Sequence, residues 1–451
     1  MFWSQGRAVS ARELMRRAAA VAKALPDGRH LINLCEHREN FLVACCAALI
    51  RGHTTLLPWA RAEGAVEEVA ARHAGSYRCD DDMVRSACEN EGPRAASASA
   101  SPGSSSPDAK RVRIPGGDGA DYCAFEIPGT RVAVKAFTSG STGSPQGHGK
   151  PWRGFVRSSS LNAMRIRDCL EPVHGPARPW VVATVPPQHM YGFETSVLLP
   201  LLSDMAVHAG RPLFPADIAT ALEEVPAPRV LVTTPVHMRA IVASGQRFPA
   251  TALVLSATAP LDAALARAIE TRLSTTVLEL FGSTETCVIA TRRAASEESW
   301  HLYPEVILEP DADGVTVSAP WFTGPMRLQD IVERLPGNRF LVRGRNSDMV
   351  EVAGKRASLG DLTRRLMAVP GVRDAVVFQP DTGASGEVRR VAALVVAPGV
   401  STESICASLA RSIDPAFVPR PLVHVDSLPR NEVGKLPRER LLAAIRDPAA
   451  G

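Results

Sequence analysis

The chain has 451 residues, of which 45% are hydrophobic and 22% are charged, a balance typical of a globular enzyme. Its formal net charge of +4 is too small for this length to indicate nucleic-acid binding, and the length predicts two or three domains. The nine cysteines include no Cys-x-x-Cys pair, which argues against a disulfide framework and a structural zinc site. The longest apolar run, 41–50, is too short to span a bilayer. We therefore expect a cytoplasmic protein without membrane insertion.

The order of predicted elements indicates an α/β fold. Helical spacing at 11–25 and 39–51 alternates with short apolar runs at 30–35 and 54–58, as in a parallel βαβ unit. The segment 92–120 is rich in Ala, Ser, Pro and Gly, and we expect a flexible insertion there. After a strand at 131–136 and a helix at 152–170, further strands are predicted at 180–185, 229–234, 252–256 and 276–281. Ligands of open α/β sheets bind at the carboxyl ends of such strands.

The pattern changes near residue 343. Strands are predicted at 372–378, 388–396 and 422–425, and helices at 359–367 and 404–412, which is enough for a small α+β domain. We therefore predict a large domain over 1–343 and a smaller one over 347–451, with a hinge near 345–348.

A glycine- and hydroxyl-rich segment, Phe-Thr-Ser-Gly-Ser-Thr-Gly-Ser-Pro-Gln-Gly, runs from 137 to 147. Glycines allow several backbone N–H groups to converge, and hydroxyls add donors, so the segment suits the phosphates of a nucleotide. Taken alone, it could also be an ordinary surface loop. A Walker-type P-loop is excluded, because that motif would need a glycine at Ser144 and a hydroxyl at Pro151.

The segment resembles the phosphate-binding signature of the adenylate-forming superfamily, which includes acyl- and aryl-CoA synthetases, peptide-synthetase adenylation domains and luciferases. Gln146 stands where this family usually has lysine, and Lys150 is a candidate replacement. The resemblance implies a large N-terminal α/β domain with a small mobile C-terminal lid. It also implies ATP binding by Thr138, Ser139, Gly140, Ser141, Thr142 and Gly143.

A second block, Phe-Gly-Ser-Thr-Glu-Thr at 281–286, resembles the family's Tyr-Gly-x-Thr-Glu motif. By this resemblance Phe281 stacks on adenine, Gly282 and Ser283 approach the nucleotide, and Thr284 reaches the α-phosphate. Glu285 is a hard oxygen ligand suited to Mg²⁺. The run beginning Ser256-Ala257 resembles the loop beside the adenine and acyl pockets. Each block alone could be a strand-ending turn, but their order along the chain matches the family.

Three charged residues in the C-terminal third complete the resemblance. Asp330 lies where the family has Thr-Gly-Asp, with Gln329 replacing the glycine, and is expected to bind the ribose hydroxyls. Arg345 lies in a Gly-Arg-x-x-Asp block and is expected to hold the nucleotide. Lys435, in Pro-Arg-Asn-Glu-Val-Gly-Lys, is expected to offset the charge that develops when a carboxylate attacks the α-phosphorus. Each of these charges alone could also be solvated surface charge.

The block that bears on the acid substrate is His189-Met190-Tyr191-Gly192. It resembles the His-x-x-Gly block of acyl- and aryl-acid ligases. His189 is expected at the pocket mouth, where it also counts as a catalytic candidate, although a capping or core role is open. Met190, Tyr191 and Phe193 are candidate lining residues. The following residues do not supply the aspartate with which amino-acid-activating members bind an ammonium group, so we expect a carboxylic acid without an α-amine.

The implied reaction has two steps: a carboxylate and MgATP give an acyl-adenylate, and a thiol then displaces AMP. The thiol belongs to coenzyme A or to the phosphopantetheine of an acyl carrier protein. The segment around Gln146 also looks like the short ligases of aryl-polyene gene clusters, which favours an aromatic acid. A degenerate member that binds nucleotide or acyl ligand without turnover is the alternative, and a kinase is disfavoured by the failed P-loop match. The expected assembly is a monomer or homodimer.

Overall fold

The computed structural model describes residues 2–4, 6–90, 126–138, 146–311, 314–345, 349–352, 355–380, 390–431 and 434–446. The chain divides into two compact units. The first comprises 1–298, 302–306 and 318–325, and the second comprises 299–301, 307–317 and 326–451. The predicted insertion at 92–120 and hinge residues 346–348 lie outside the described residues, so both stay predictions, as do the predicted domain limits.

The helices of the first unit are α1 (Ala11–Ala24), α2 (Arg38–Arg51), α3 (Glu63–Ala71), α4 (Asp81–Glu89), α5 (Trp152–His174), α6 (Met190–Phe193), α7 (Leu199–Leu202), α8 (Pro215–Glu224), α9 (Pro235–Ala243) and α10 (Ala263–Leu273). A π-helical turn, Glu194–Leu198, joins α6 to α7. Helix α1 begins where the Ser10 hydroxyl accepts a hydrogen bond from the Glu13 N–H, and it buries Leu14, Ala18 and Val21 at helical spacing. None of the helices in the described part of the chain is both long and apolar enough to cross a membrane.

The strands of the first unit are β1 (Phe2–Ser4), β2 (Arg7–Val9), β3 (His30–Asn33), β4 (Thr54–Leu57), β5 (Ser76–Cys79), β6 (Val132–Thr138), β7 (Gln146–Pro151), β8 (Trp180–Ala183), β9 (Ala206–His208), β10 (Arg229–Thr233), β11 (Leu253–Ser256), β12 (Thr276–Ser283) and β13 (Cys287–Arg292). They form two sheets. One has the order β5-β3-β4-β6-β7, and the other runs β13-β12-β11-β10-β8-β9-β1-β2.

Parallel pairing dominates both sheets. In the larger one, β9, β8, β10, β11 and β12 pair in parallel, while β13 turns back antiparallel to β12. Residues 230–232 of β10 and 253–255 of β11 are completely buried, as expected for strands covered by helices on both faces. The α/β fold predicted from the sequence is therefore confirmed.

The second unit contains the helices α11 (Leu359–Met367), α12 (Thr402–Leu409) and α13 (Arg438–Arg446) and the strands β14 (Trp300–Leu302), β15 (Ile307–Asp311), β16 (Gly314–Ser318), β17 (Met326–Leu328), β18 (Asp330–Leu335), β19 (Arg339–Arg345), β20 (Met349–Val352), β21 (Lys355–Ser358), β22 (Asp374–Phe378), β23 (Ala392–Val396) and β24 (Leu422–His424). Strand β23 pairs antiparallel with β22 and parallel with β24. Leu362, Leu366 and Ile405 from α11 and α12 are buried in the same core cluster as Ala393 and Val395 of β23. The small α+β unit predicted for the C-terminal part is present.

Candidate active site

The carboxyl ends of the central parallel strands lie side by side in the first unit. In register, Thr233 of β10 is the partner of Ser256 of β11, which in turn is the partner of Glu279 of β12. The Tyr191 hydroxyl donates to the Thr233 carbonyl at 3.2 Å, which fixes the start of α6 at this edge. Two predicted substrate residues, Tyr191 and Ser256, therefore lie at neighbouring strand ends, where ligands of α/β sheets bind.

The other predicted lining residues differ in their exposure. His189 is half-buried at the residue preceding α6, and its carbonyl accepts the Phe193 N–H at 2.7 Å. Met190 is buried. The Phe193 ring makes edge contacts with Phe41 and Phe155, with centroid distances of 6.2 and 5.4 Å. Phe193 therefore contributes to the core, and its role in lining the acid pocket stays a prediction.

The Phe281–Glu285 block forms the end of the β12–β13 hairpin. The strands separate after the Ser283–Cys287 pair, and the register shifts between Phe281 and Gly282. A Cβ atom at Gly282 would lie 2.1 Å from the Cys287 carbonyl oxygen, so only glycine permits this approach. The family's glycine is thus explained here by the hairpin itself.

Hydroxyl groups hold the turn that carries Glu285. The Ser283 hydroxyl accepts hydrogen bonds from the N–H groups of Glu285 and Thr286, both at 3.2 Å. The Thr286 hydroxyl lies 3.1 Å from the Ser283 N–H and donates to the Cys287 carbonyl at 2.8 Å. Thr284 is half-buried within this turn. Ser283, predicted to approach the nucleotide, therefore already has a structural role.

The second hairpin, β6–β7, carries His148 and Lys150 to the Glu285 turn, and Thr138 lies beside His148. Gln146, His148 and Lys150 alternate along β7 with two glycines, so the three side chains share one face of the strand. His148 Nε2 lies 3.2 Å from Glu285 Oε1 and 3.4 Å from Thr138 Oγ1. The Lys150 ammonium donates to the backbone carbonyl of Glu285. Lys150 lies within strand β7 and is only 7% exposed.

The Glu285 carboxyl group is held in its ionised form. Burial acts to raise its pKa, but the pKa is lowered overall by hydrogen bonding from Ser283 and the Glu285 N–H and by the charges of His148 and Lys150. Burial lowers the pKa of His148, assisted by Lys150 and opposed by Glu285. A half-exposed ionised carboxylate is an oxygen ligand that fits Mg²⁺.

Glu194 is a buried carboxylate directly after Phe193, at 1% exposure. It accepts hydrogen bonds from the Ser158 hydroxyl at 2.6 Å, the Asn162 amide at 3.4 Å and the Val288 N–H at 3.2 Å. Burial raises its pKa, and these hydrogen bonds oppose that shift. The carboxylate thus links α5 to the start of β13, next to the Glu285 turn.

The second unit contains Asp330, Arg345 and Lys435. Asp330 and Arg345 are backbone partners at the ends of β18 and β19. Lys435 is exposed on a turn in which its N–H donates to the Asn431 side chain at 2.8 Å and its carbonyl accepts from the Asn431 N–H at 2.8 Å. Arg430 braces this turn by donating to Gly434 and to Asp374.

Several predicted residues cannot be placed: Ser139, Gly140, Ser141, Thr142 and Gly143 lie outside the described residues. Phe281 and Ala257 are both half-buried at strand ends of the first unit. The sequence interpretation gave no structural role to His148 or Glu194. The alternation of His148 and Lys150 with glycines was the signal for His148, whereas the hydrogen-bond donors of Glu194 lie far from it in sequence.

Comparison with known proteins identifies the class. The profile of the AMP-binding enzyme family matches residues 1–307, and that of the AMP-binding enzyme C-terminal domain matches 364–435. A 4-coumarate--CoA ligase of Halorhodospira halophila is 30% identical over 318 residues, covering 66% of this chain and 73% of the relative. One from Rhodobacter capsulatus is 31% identical over 235 residues, covering 52% of this chain and 57% of the relative.

Solved structures agree on the fold. O-succinylbenzoate coenzyme A synthetase from Bacillus subtilis, in complex with ATP and magnesium ion, superposes with a TM-score of 0.75 at 15% identity, covering 98% of this chain and 96% of that one. ATP-bound MatB from Rhodopseudomonas palustris superposes with a TM-score of 0.73 at 18% identity, covering 96% of this chain and 93% of that one.

The chain belongs to the AMP-binding enzyme family, and its fold is that of the adenylate-forming enzymes. The enzyme class predicted from the sequence, an AMP-forming acid–thiol ligase, is confirmed. The resemblance to aryl-polyene-cluster ligases stays a prediction.

Proposed function

We propose that this enzyme activates an aromatic carboxylic acid as its acyl-adenylate, with MgATP, and transfers the acyl group to the thiol of coenzyme A or of a carrier protein's phosphopantetheine. Two observations within the first unit support the proposal: Glu285 and Thr138 both lie close to His148, and Tyr191 contacts the end of β10, beside Ser256 at the end of β11. The first is a carboxylate suited to Mg²⁺, and the second is a set of strand ends suited to a small ligand.

The aromatic substrate is supported by the relatives. Besides the two 4-coumarate--CoA ligases, a salicylyl-CoA synthase of Streptomyces is 33% identical over 130 residues. Both names refer to aromatic acids. We extend this substrate class to the present chain as part of the proposal.

An acid without an α-amine is supported by Glu194, which stands in the Phe-x-x-Ser segment where amino-acid-activating members carry their aspartate. Its carboxylate already accepts three hydrogen bonds from protein donors. All three bonds are to Oε2, and the residue is only 1% exposed, so this carboxylate is not presented to a substrate ammonium group. The geometry therefore favours a carboxylic acid lacking this charge.

The proposed division of labour follows from the residues. Thr138 and the hydroxyl-rich segment after it bind the phosphates, Glu285 supplies oxygen ligands to Mg²⁺, and Asp330 and Arg345 hold the ribose and phosphate side of the nucleotide. The metal, when bound, neutralises phosphate charge. Lys435, on its braced turn, offsets the charge that develops as the acid attacks the α-phosphorus and pyrophosphate departs.

An ATP–pyrophosphate exchange assay over a panel of aromatic and fatty acids tests the proposal. We expect exchange that depends on an aromatic acid, followed by thioester formation when coenzyme A or a phosphopantetheine-loaded carrier protein is added. Exchange with fatty acids alone would contradict the aromatic assignment. Nucleotide binding without exchange would support the degenerate alternative, which Gln146, at the family's lysine position, favours.

The role of Lys435 is tested by separating the two steps. Lys435→Ala should lose exchange by about 100-fold or more, because a preorganised charge in the first step is removed. The same variant should still convert supplied acyl-adenylate to thioester. Equal loss in both steps would contradict a role confined to adenylation.

A further inference from the structure

Lys150 is a buried lysine whose ammonium group contacts the Glu285 turn. It lies on β7, is 7% exposed, and its charge influences the pKa values of both Glu194 and Glu285. A buried ammonium group needs hydrogen-bond acceptors and nearby negative charge to offset its desolvation. Lys150 finds its acceptor in the backbone carbonyl of Glu285, on the other hairpin and 135 residues away in sequence.

This contact connects the two sheets of the first unit at the functional site. Strand β7 is the edge of the five-stranded sheet, whereas the Glu285 turn closes the β12–β13 hairpin of the larger sheet. His148 approaches the Glu285 carboxylate from the same face of β7. The hydroxyls of Ser283 and Thr286 fix the turn internally, and Lys150 is the cation that fixes it to β7.

The position of the ammonium group also bears on the phosphate-binding role expected for Lys150. A lysine that contacts the β- and γ-phosphates must present its ammonium group to the nucleotide. Here the side chain is almost fully buried, and the ammonium group is directed to a protein carbonyl. Gln146, at the position of the family's lysine, is exposed on the same face of β7.

We propose that Lys150 is a positioning residue: it holds the β12–β13 turn against β7 so that the Glu285 carboxylate is fixed where Mg²⁺ binds. The inference rests on the proposed function only for the metal-binding role of Glu285. The tether between Lys150 and the turn is a property of the protein without ligand. It can therefore be tested without any substrate.

The first test is amide hydrogen exchange of the ligand-free protein. Lys150→Met keeps an unbranched chain of the same length as the lysine methylenes and removes the ammonium group. Peptides covering 284–288 should then exchange about 10-fold faster, because the turn opens locally. Lys135→Met is the matched control: Lys135 lies on the neighbouring strand β6 and contacts His73, so the change should leave 284–288 unaffected. Unchanged exchange at 284–288 in Lys150→Met would overturn the proposal.

The second test is a double-mutant cycle measured by acid-dependent ATP–pyrophosphate exchange. Lys150→Met should reduce the rate roughly 10- to 100-fold, as misplaced catalytic groups do, and should raise the Mg²⁺ concentration needed for half-maximal rate. If Lys150 acts through Glu285, Glu285→Gln and the double variant should have equal activity, since the position of an already disabled side chain no longer matters. Multiplying effects would instead indicate an independent phosphate contact and would overturn the positioning role.

Failure of the proposed function and failure of the positioning role would give different results. Absence of acid-dependent exchange in the wild-type enzyme would refute the proposed function, while the amide-exchange result would still decide whether Lys150 holds the turn. Should Lys150→Met fail to fold, Lys150→Leu provides the same comparison, because its side chain carries no hydrogen-bond donor. The control in that case is Lys135→Leu.

Discussion

The two hairpins that meet at Glu285 are built differently. In β12–β13 the connection is short, and its geometry is fixed by hydroxyl groups within the turn and by a backbone approach that only Gly282 allows. In β6–β7 the connection lies outside the described residues, and strand β7 carries Lys150 and His148 towards the other hairpin.

The difference shows how one site can depend on two kinds of constraint. The position of Glu285 depends on local backbone geometry, which tolerates no added atom. The contribution of β7 depends on side chains that reach across to another sheet, where neighbouring atoms can adjust. Substitutions in the first hairpin should therefore cost more than comparable ones in the second.

The largest effect is expected for Gly282→Ala. The added methyl group would lie 2.1 Å from the Cys287 carbonyl oxygen, a backbone atom that cannot move without opening the hairpin. We expect a loss of about 3 kcal/mol in the free energy of unfolding, the upper end for overpacking, and loss of ATP–pyrophosphate exchange. Denaturant unfolding and the exchange assay measure the two effects.

The control for this prediction is Gly64→Ala. Gly64 lies in helix α3, and a Cβ there meets no atom within 4 Å, so alanine should be neutral or slightly stabilising. If Gly282→Ala were as stable and active as Gly64→Ala, the tight backbone approach would not be what fixes the Glu285 turn.

The sequence predicts the parts of this site that are local and fails on those that are not. Apolar patterns in the sequence predict helix α5 and strands β6, β8, β10, β11 and β12. The block at 281–285 predicts a turn at a strand end. The contact from Lys150 to Glu285 joins residues far apart in sequence, and no periodicity reports which sheet edges face each other. The structural role of Glu194 could not be predicted for the same reason, because its donors come from α5 and β13.

A second prediction concerns Glu279, at the base of the β12–β13 hairpin, where it is the cross-strand partner of Arg292. Burial raises the pKa of Glu279 to about 7, with Arg292 acting in the opposite direction. The folded protein therefore retains a proton that the unfolded chain releases above about pH 4.5, so stability should fall as the pH rises from about 4.5 to 7. We expect Glu279→Gln to flatten this decline by roughly 2 kcal/mol, measured by denaturant unfolding at several pH values.

Glu13→Gln is the control for the pH experiment. The pKa of Glu13 is lowered, chiefly by its hydrogen bond with Arg7, so its titration lies below this window. That variant should keep the wild-type slope between pH 5 and 7. An unchanged slope in Glu279→Gln would show that another group is responsible for the decline.

A smaller loss than for Gly282→Ala is expected for Gly147→Ala in the β6–β7 hairpin. A Cβ at this position would lie 2.5 Å from Lys135 Cε and 2.8 Å from Phe137 Cε1, both side-chain atoms. The end of a lysine can move away at little cost, whereas the Phe137 ring is 6% exposed and packs in the core, so we expect a loss of about 1 kcal/mol. Gly149→Ala on the same strand face meets only Val132 at 3.4 Å and should cost less. A loss for Gly147→Ala as large as that for Gly282→Ala would mean that β7 is as rigidly constrained as the Glu285 turn. That result would contradict the proposed difference between the two hairpins.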